Sequence, residues 1–372
     1  MVKHLHIICL DVPYPVNHGG LFDLFYKLPA LQQAGVRVHL HCFEYGRGKQ
    51  PELNKYCESV HYYKRRTGIA GFSFRIPYIV SSRKNEELLQ RLLKDDHPIL
   101  MEGIHCTWLL NDARFTGRKM FVRLHNVEFE YYRELSKPEH SFTKKLYYKC
   151  ESWLLEKYEA RIADKAMFLA VSERDAAIYR NKFHAKVEYL PVFLPWDTVG
   201  SDTGYGQFCL YHGNLSVIEN EMAALSLLGQ VFTELRMPFV IAGKDPTQRL
   251  KQAAGKLEHV RIVANPGVEE MQDLIKKAHI NVLPVLNITG VKLKLLNALF
   301  VGRHCITNIQ AVEGTGLEDC CDVINTVADI KDAVNKLFQQ EFTAAMIAGR
   351  AAILSRIYNK EENCRKLIEW IW

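Results

Sequence analysis

The chain has 372 residues, 48% of them hydrophobic and 24% charged, with a formal net charge of +6. That length suffices for two domains with separate cores, and the composition is that of a globular protein. It excludes a spanning helix, since no run approaches roughly 18 consecutive apolar residues, and the opening MVKHLHIICLDVPYP reads as a first strand rather than a leader peptide.

The basic excess lies in residues 1–200, which hold 30 Lys and Arg against 23 Asp and Glu. Such a surface suits an anionic substrate or a membrane face, and equally a solvated basic face. The ten cysteines are scattered through apolar runs such as IICL, LHCF and RHCI, without a CxxC pair or a His at zinc spacing. They read as small buried hydrophobes in a reducing compartment, and no metal is expected. The expectation is a cytoplasmic protein, with the basic half allowing peripheral contact at the inner face of the membrane.

In chain order, a strand over 4–10 leads into the Pro- and Gly-rich loop VPYPVNHGG, a helix over 21–35 and a strand over 36–43. Further strands are expected at 59–63, 98–103, 119–125, 166–172 and 187–192, with a long helix over 144–165. A linker, LPWDTVGSDTGYG (194–206), precedes a second round of strands at 207–213, 239–243, 260–264, 279–285, 304–308 and 322–326. Strand–helix alternation in both halves predicts an α/β protein of two doubly wound, Rossmann-like domains, with ligands beyond the carboxyl ends of the strands in an interdomain cleft. The first domain is expected over 1–195 and the second over 196–351, with a final helical stretch, 352–372, packing back on the first.

Three strand ends carry polar residues suited to such a site. Gly19 and Gly20 allow close backbone approach to a ligand, just before a helix N-terminus; a plain turn would use them too. His125 and Asn126 end a strand in VRLHNVEFEYY, and Glu128 opens the next helix. His125 could donate to a phosphate or a sugar hydroxyl, with Glu128 fixing the loop or acting on an acceptor hydroxyl. In NITGVKLKLLNALFVG (287–302), a helix starting at Gly290–Val291 puts Gly290, Lys294 and Asn297 on one face and Leu295, Leu296 and Leu299 on another. A helix N-terminus with a Lys one turn on suits a diphosphate. Gly213 with Asn214, and Gly243 with Lys244, end neighbouring strands.

Four stretches, in order, are similar to a known family: PYPVNHGG; RLHNVEFEYY with the later YEARIADKAMFLAVSERDA; LYHGNLSVIENEMAAL; and PVLNITGVKLKLLNALFVGRHCITNIQAVEGTG. Over nearly its whole length the chain resembles the GT-B glycosyltransferases, in particular the retaining family 4, or group 1, enzymes. The resemblance implies transfer of a sugar from a nucleoside-diphosphate donor to a hydroxyl acceptor, without a divalent metal, in surface glycan synthesis. Donor would bind the second domain, as a UDP- or GDP-sugar. A glycan or lipid-linked acceptor would bind the first, and no nucleic acid is expected. By matching position, Lys294 and the Val291 backbone would hold the diphosphate, Gly20 would approach the donor, His125 would bond the transferred sugar, and Glu313 would lie near the nucleotide. The family commonly carries two glutamates that here are Thr289 and Asn297, and the basic pair often found after the Gly213 strand is replaced by GNLSVIEN. Those departures keep a second reading open, a non-catalytic glycosyltransferase-like subunit with a degenerate donor site. A third reading is a sugar-nucleotide epimerase of the same two-domain fold.

Overall fold

The computed structural model describes residues 2–16, 19–139, 141–286 and 288–372. The chain forms two compact units, Met1–Pro195 with Tyr358–Trp372, and Trp196–Ile357. The first unit runs β1 (Lys3–Cys9), α1 (Phe22–Gln33), β2 (Val36–Glu44), β3 (Ser59–Lys64), α2 (Tyr78–Ser81), α3 (Glu86–Leu92) and β4 (Ile99–Glu102). It continues through β5 (Met120–Leu124), α4 (Glu128–Leu135), α5 (Phe142–Ile162), β6 (Met167–Ala170), α6 (Glu173–Phe183) and β7 (Val187–Tyr189). Its seven parallel strands lie in the order β3-β2-β1-β4-β5-β6-β7, so the winding reverses between β1 and β4.

Alternation along each strand decides which layer a side chain joins. Leu5, Ile7 and Cys9 of β1, with Val38, Leu40 and Cys42 of β2, bury one face against Leu24, Leu28 and Leu31 of α1. Ile8 and Phe43 instead meet the opposite layer, where Leu88 and Leu92 of α3, Leu155 and Ile162 of α5, and Tyr179 of α6 lie. Each fully buried leucine contributes about 1.5–3 kcal/mol. The YE…VSERD run is structural. Glu159 of α5 accepts from the Phe129 amide at 3.1 Å and from the Tyr179 hydroxyl at 2.6 Å, which ties α4 and α6 to α5. Burial raises the Glu159 carboxyl well above its ordinary range. Ser172 caps α6 by accepting from the Asp175 amide.

The second unit runs β8 (Cys209–Asn214), α7 (Ile218–Gln230), β9 (Phe239–Lys244), α8 (Gln248–Ala254), β10 (Val260–Ala264), α9 (Val268–Lys277) and β11 (Ile280–Val282). It continues through α10 (Leu293–Val301), β12 (His304–Thr307), α11 (Ile309–Val312), β13 (Asp322–Val323), α12 (Val327–Phe338) and α13 (Ala344–Ile357). Its six parallel strands lie in the order β10-β9-β8-β11-β12-β13 and reverse between β8 and β11. At the carboxyl end of β9 only glycine fits: a Cβ at Gly243 would stand 1.8 Å from the Gly213 carbonyl oxygen of β8.

The C-terminal stretch differs from one continuous helix. It breaks after α13, and Asn359 caps a separate α14 (Lys360–Ile371) by accepting from the Glu362 amide. Cys364, Leu367 and Ile371 of α14 join the same core layer as α1. Among the described residues, no helix is long and apolar enough to cross a membrane.

Candidate functional site

In open parallel sheets, ligands lie beyond the strand carboxyl ends where the winding reverses. In the first unit that reversal is at β1/β4. Gly19 and Gly20 form a tight turn leading straight into α1; Asn17 and His18 of the same loop lie outside the described residues. Upstream, Arg47 donates to Asp11 (3.1 Å) and to the Pro15 carbonyl (2.8 Å), which fixes the start of the loop.

Beneath that turn lies a charged network that the motif reading did not contain. Asp23 of α1 receives both Nε and a terminal nitrogen of Arg123 at 2.8 and 3.0 Å, with the Phe193 amide at 2.9 Å. Lys27, one turn along α1, donates to Asp23 (3.1 Å) and to Glu102 (2.5 Å) at the end of β4. Glu102 in turn pairs with His125, just past β5, at 3.0 Å between Oε2 and Nε2. Asp23, Lys27, Glu102 and Arg123 are all buried. Burial alone would raise the two carboxyls, but the Arg123 and Lys27 charges hold Asp23 well below the usual range, and Lys27 with His125 lowers Glu102. Asp23, Glu102 and His125 could converge on a metal ion, yet the ammonium and guanidinium already neutralise both carboxylates. The set therefore fits no cation. What it does is orient His125, whose Nε2–H donates to Glu102.

Glu128, the first residue of α4, is buried. Burial pushes its carboxyl up to about 7, opposed by a hydrogen bond with Asn126 and by the Arg83 charge. It is placed to hold the loop between β5 and α4.

In the second unit the reversal is at β8/β11. Gly213 and Asn214 close β8, and the Asn220 amide of α7 donates to the Asn214 carbonyl at 2.9 Å. The helix α10 begins later than expected. Lys292 is its N-cap, so Gly290, in the left-handed region at φ 65°, and Val291 belong to the preceding loop. Lys294 therefore sits in the first turn rather than one turn on. The cause is local: the Lys292 ammonium donates back to the Thr289 carbonyl, and its own carbonyl takes the first helical amides, Leu295 and Leu296. Asn287 of this segment lies outside the described residues.

The Lys294 ammonium points to the β8 end. It donates to Asn220 Oδ1 (3.0 Å) and the Tyr211 hydroxyl (3.4 Å), and lies over the Tyr211 ring. Among the described residues it has no carboxylate within ion-pair distance. Burial, then the neighbouring Lys292 charge, pull it down to about 7, against an opposing effect of Glu219. A group so poised gains from any anion delivered to it. Asn297, one turn deeper, has a buried Oδ1 with no hydrogen-bond partner among the described residues. Leu295, Leu296 and Leu299 are buried. Lys244 is exposed at the end of β9, and Glu313 is exposed just past α11. Asn308, after β12, clamps the neighbouring loop by accepting from the Val285 amide (3.0 Å) and donating to its carbonyl (2.7 Å).

The sequence signal for Glu102 and Asn220 was present but unread: a carboxylate closing the apolar strand ILME, and a polar residue in the first turn of the helix after GNLS.

Residues 206–340, which hold every element of the second site, match the family model described as Glycosyl transferases group 1. Over these residues the chain is similar to the group 1 glycosyltransferases. The chain is also similar to an uncharacterized 44.6 kDa protein in the cps region of Klebsiella pneumoniae, 26% identical over 338 residues, covering 83% of this chain and 84% of the relative. In fold it is similar to TarM from S. aureus, with a TM-score of 0.72 at 10% identity, covering 100% of this chain and 99% of that one. HepE from Anabaena, solved with UDP and glucose, superposes at a TM-score of 0.64 and 11% identity, with 98% of each chain covered. The fold of the chain is GT-B.

Proposed function

We propose that the protein transfers a sugar from a nucleoside-diphosphate sugar to a hydroxyl acceptor with retention of anomeric configuration, in surface-polysaccharide synthesis. The observation that carries this reading is Lys294: an enclosed ammonium in the first turn of α10, facing neutral partners only, beside the glycine-closed end of β8. As the anomeric C–O bond lengthens, negative charge grows on the departing diphosphate. The ammonium and the leading amides of α10, those of Leu293 and Lys294, meet that charge, which is the work a divalent cation does elsewhere. In this reading Gly290, Val291, Gly213 and Asn214 border the diphosphate, Asn297 and Glu313 lie toward the nucleoside, and Lys244 adds positive charge. Gly19 and Gly20 border the sugar, and His125 bonds it. UDP bound to HepE and TarM makes UDP-sugars the first donors to try, and the cps-region relative supports the polysaccharide context.

The test is a panel of UDP- and GDP-sugars with glycan and lipid-linked acceptors, the product linkage read by NMR. Transfer with an α-configured donor giving an α-linked product is expected; no turnover and no nucleotide binding would sink the proposal. Thr289 and Asn297 offer no carboxylate to a ribose, and nucleotide binding without transfer under every condition would instead establish the non-catalytic subunit. Within the active reading, Glu102→Gln removes the charge behind His125 while keeping its shape. It is expected to lower kcat by about 10- to 100-fold, as loss of an orienting partner does, with donor Kd unchanged by calorimetry.

The same reading includes an anionic lipid surface as the place of work. The segment 64–75, KRRTGIAGFSFR, exposes Ile69 (94%) and Phe74 (86%) among four basic residues. Beside it, α5 exposes Phe142 and Trp153 among Lys144, Lys145, Lys149 and Lys157; Tyr147 of α5 lies near Arg65 and Tyr78. Apolar tips between lysines and arginines suit a headgroup boundary. Vesicles with phosphatidylglycerol are expected to sediment the protein, more weakly in high salt. Ile69→Ser with Phe74→Ser should weaken binding about tenfold or more, given about 1.5–3 kcal/mol per buried apolar side chain.

A further inference from the structure

The amino ends of the strands in the first unit carry a feature with no part in sugar transfer. His4 and His6 of β1, His39 and His41 of β2, and His61 of β3 occupy alternate positions and share one face of the sheet. His97, just before β4, stacks on His4 with ring centroids 4.8 Å apart. On that face Ile8 and Phe43, nearer the carboxyl ends, belong to the apolar core, so histidines have replaced apolar side chains only at the amino edge.

Three of the rings converge. His4 Nδ1 and His39 Nε2 are 3.0 Å apart, and one ring nitrogen each of His4, His39 and His97 lies within 4.8 Å of the others. All three side chains are partly open to solvent, through a groove lined by His4, Asp95, Asp96, His97 and Arg118. Two outer contacts fix the arrangement. His39 turns Nε2 inward because its Nδ1 bonds the Ser59 hydroxyl at 3.0 Å. The His97 backbone is held by its amide donating to Asp95 at 3.1 Å. Such outer partners orient histidine ligands in metal sites.

We infer that His4, His39 and His97 form a site for a divalent transition-metal ion of the Zn²⁺ class, with the fourth position open to water or to Asp96. Three imidazoles select Zn²⁺, Cu²⁺ or Ni²⁺ over Mg²⁺ or Ca²⁺. Each ring would coordinate through the lone pair of one nitrogen, with a tautomer choice at His4, and the three nitrogens, which lie within 4.8 Å of one another, would draw together to reach tetrahedral spacing. The site lies at the opposite end of the sheet from His125. The ion would cross-link β1, β2 and the segment before β4 rather than take part in transfer.

The test uses the full chain without a histidine tag, freed of metal by chelation, with Co²⁺ as a spectroscopic probe and Zn²⁺ by calorimetry. One equivalent of Co²⁺ with tetrahedral d–d bands and no thiolate charge-transfer band is expected, together with a Zn²⁺-dependent rise in Tm. His39→Asn and His97→Gln should each weaken Zn²⁺ binding at least about tenfold, the loss typical even of an outer partner. His184→Ala, outside the cluster, and Cys150→Ser, at an exposed thiol, should leave it unchanged. If His39→Asn misfolds by circular dichroism, His97→Gln on the loop carries the comparison. No stoichiometric binding, a thiolate band, or binding indifferent to both histidine variants overturns the inference.

Discussion

Lys294→Met is expected to lose donor binding while the protein keeps or gains stability. A charge-assisted hydrogen bond contributes about 1.5–3 kcal/mol, which is roughly 10- to 150-fold in Kd. The ammonium rests on Asn220 and Tyr211, both neutral, so its removal strands no buried charge. The usual penalty for breaking a buried pair is therefore absent, and the desolvation that pulls the group down to about 7 is relieved. The same value fixes a pH signature. A bound diphosphate favours the charged ammonium and raises its pKa, so binding takes up a proton above pH 7. Affinity should be flat below pH 7 and fall by up to about tenfold per pH unit above it, until the raised value is reached. In the Met variant the slope disappears. For the ligand-free protein the sign is opposite: the unfolded lysine titrates near 10.5, so this group adds stability as pH rises from about 7 to 10.5. Calorimetry across pH and thermal unfolding read both quantities; unchanged donor affinity in Lys294→Met would falsify the assignment of the diphosphate site.

Lys27→Met should behave in the opposite way. Its ammonium is fully buried between Asp23 and Glu102, and without it Asp23 keeps Arg123 while Glu102 is left with His125 alone. Breaking a buried pair by removing one partner costs about 3–5 kcal/mol, or a drop of about 6–20 °C in Tm at 2–4 °C per kcal/mol for a unit of this size. Adding Glu102→Gln removes the surplus charge and should recover much of the loss, which a packing defect would not allow. Acid should narrow the gap between variant and wild type. The depressed Asp23 and Glu102 carboxyls contribute stability that is present above the unfolded carboxylate range and lost as pH falls through their lower folded values. A Lys27→Met protein as stable as wild type at pH 7 would remove the network from any role in the fold.

The strands were legible because parallel strands buried on both faces read as short apolar runs between turns. FVIAG and VRIVA, for instance, became β9 and β10 almost residue for residue. The start of α10 was less so. Apolar periodicity continues back through Val291, while the real boundary was set by Lys292 bonding its own preceding loop, a choice that periodicity does not register. Of the candidate site, the placement of single residues at strand ends, such as His125 and Gly213, was legible. The site was not read where it consists of partners distant in sequence: nothing local ties Asp23 to Arg123, a hundred positions apart, or Asn220 to Lys294. The GNLSVIEN departure looked like an absence of charge, and in the structure its last residue, Asn220, is what Lys294 touches. The histidines show the same limit, since the spacings from His4 to His39 and His97 match no metal motif until the sheet register aligns them.

The detour of α14 bears on how the protein is made. Cys364, Leu367 and Ile371 complete a core layer begun by Leu5 and Ile7, so the first unit to leave the ribosome is the last to be finished. Until the final dozen residues emerge, the apolar face of α1 is uncovered, while the intervening unit, continuous from Trp196 to Ile357, already has its whole sequence. A chain cut short between Ile357 and the end of α14 has one sound domain and one sticky one, the usual substrate of chaperones and proteases.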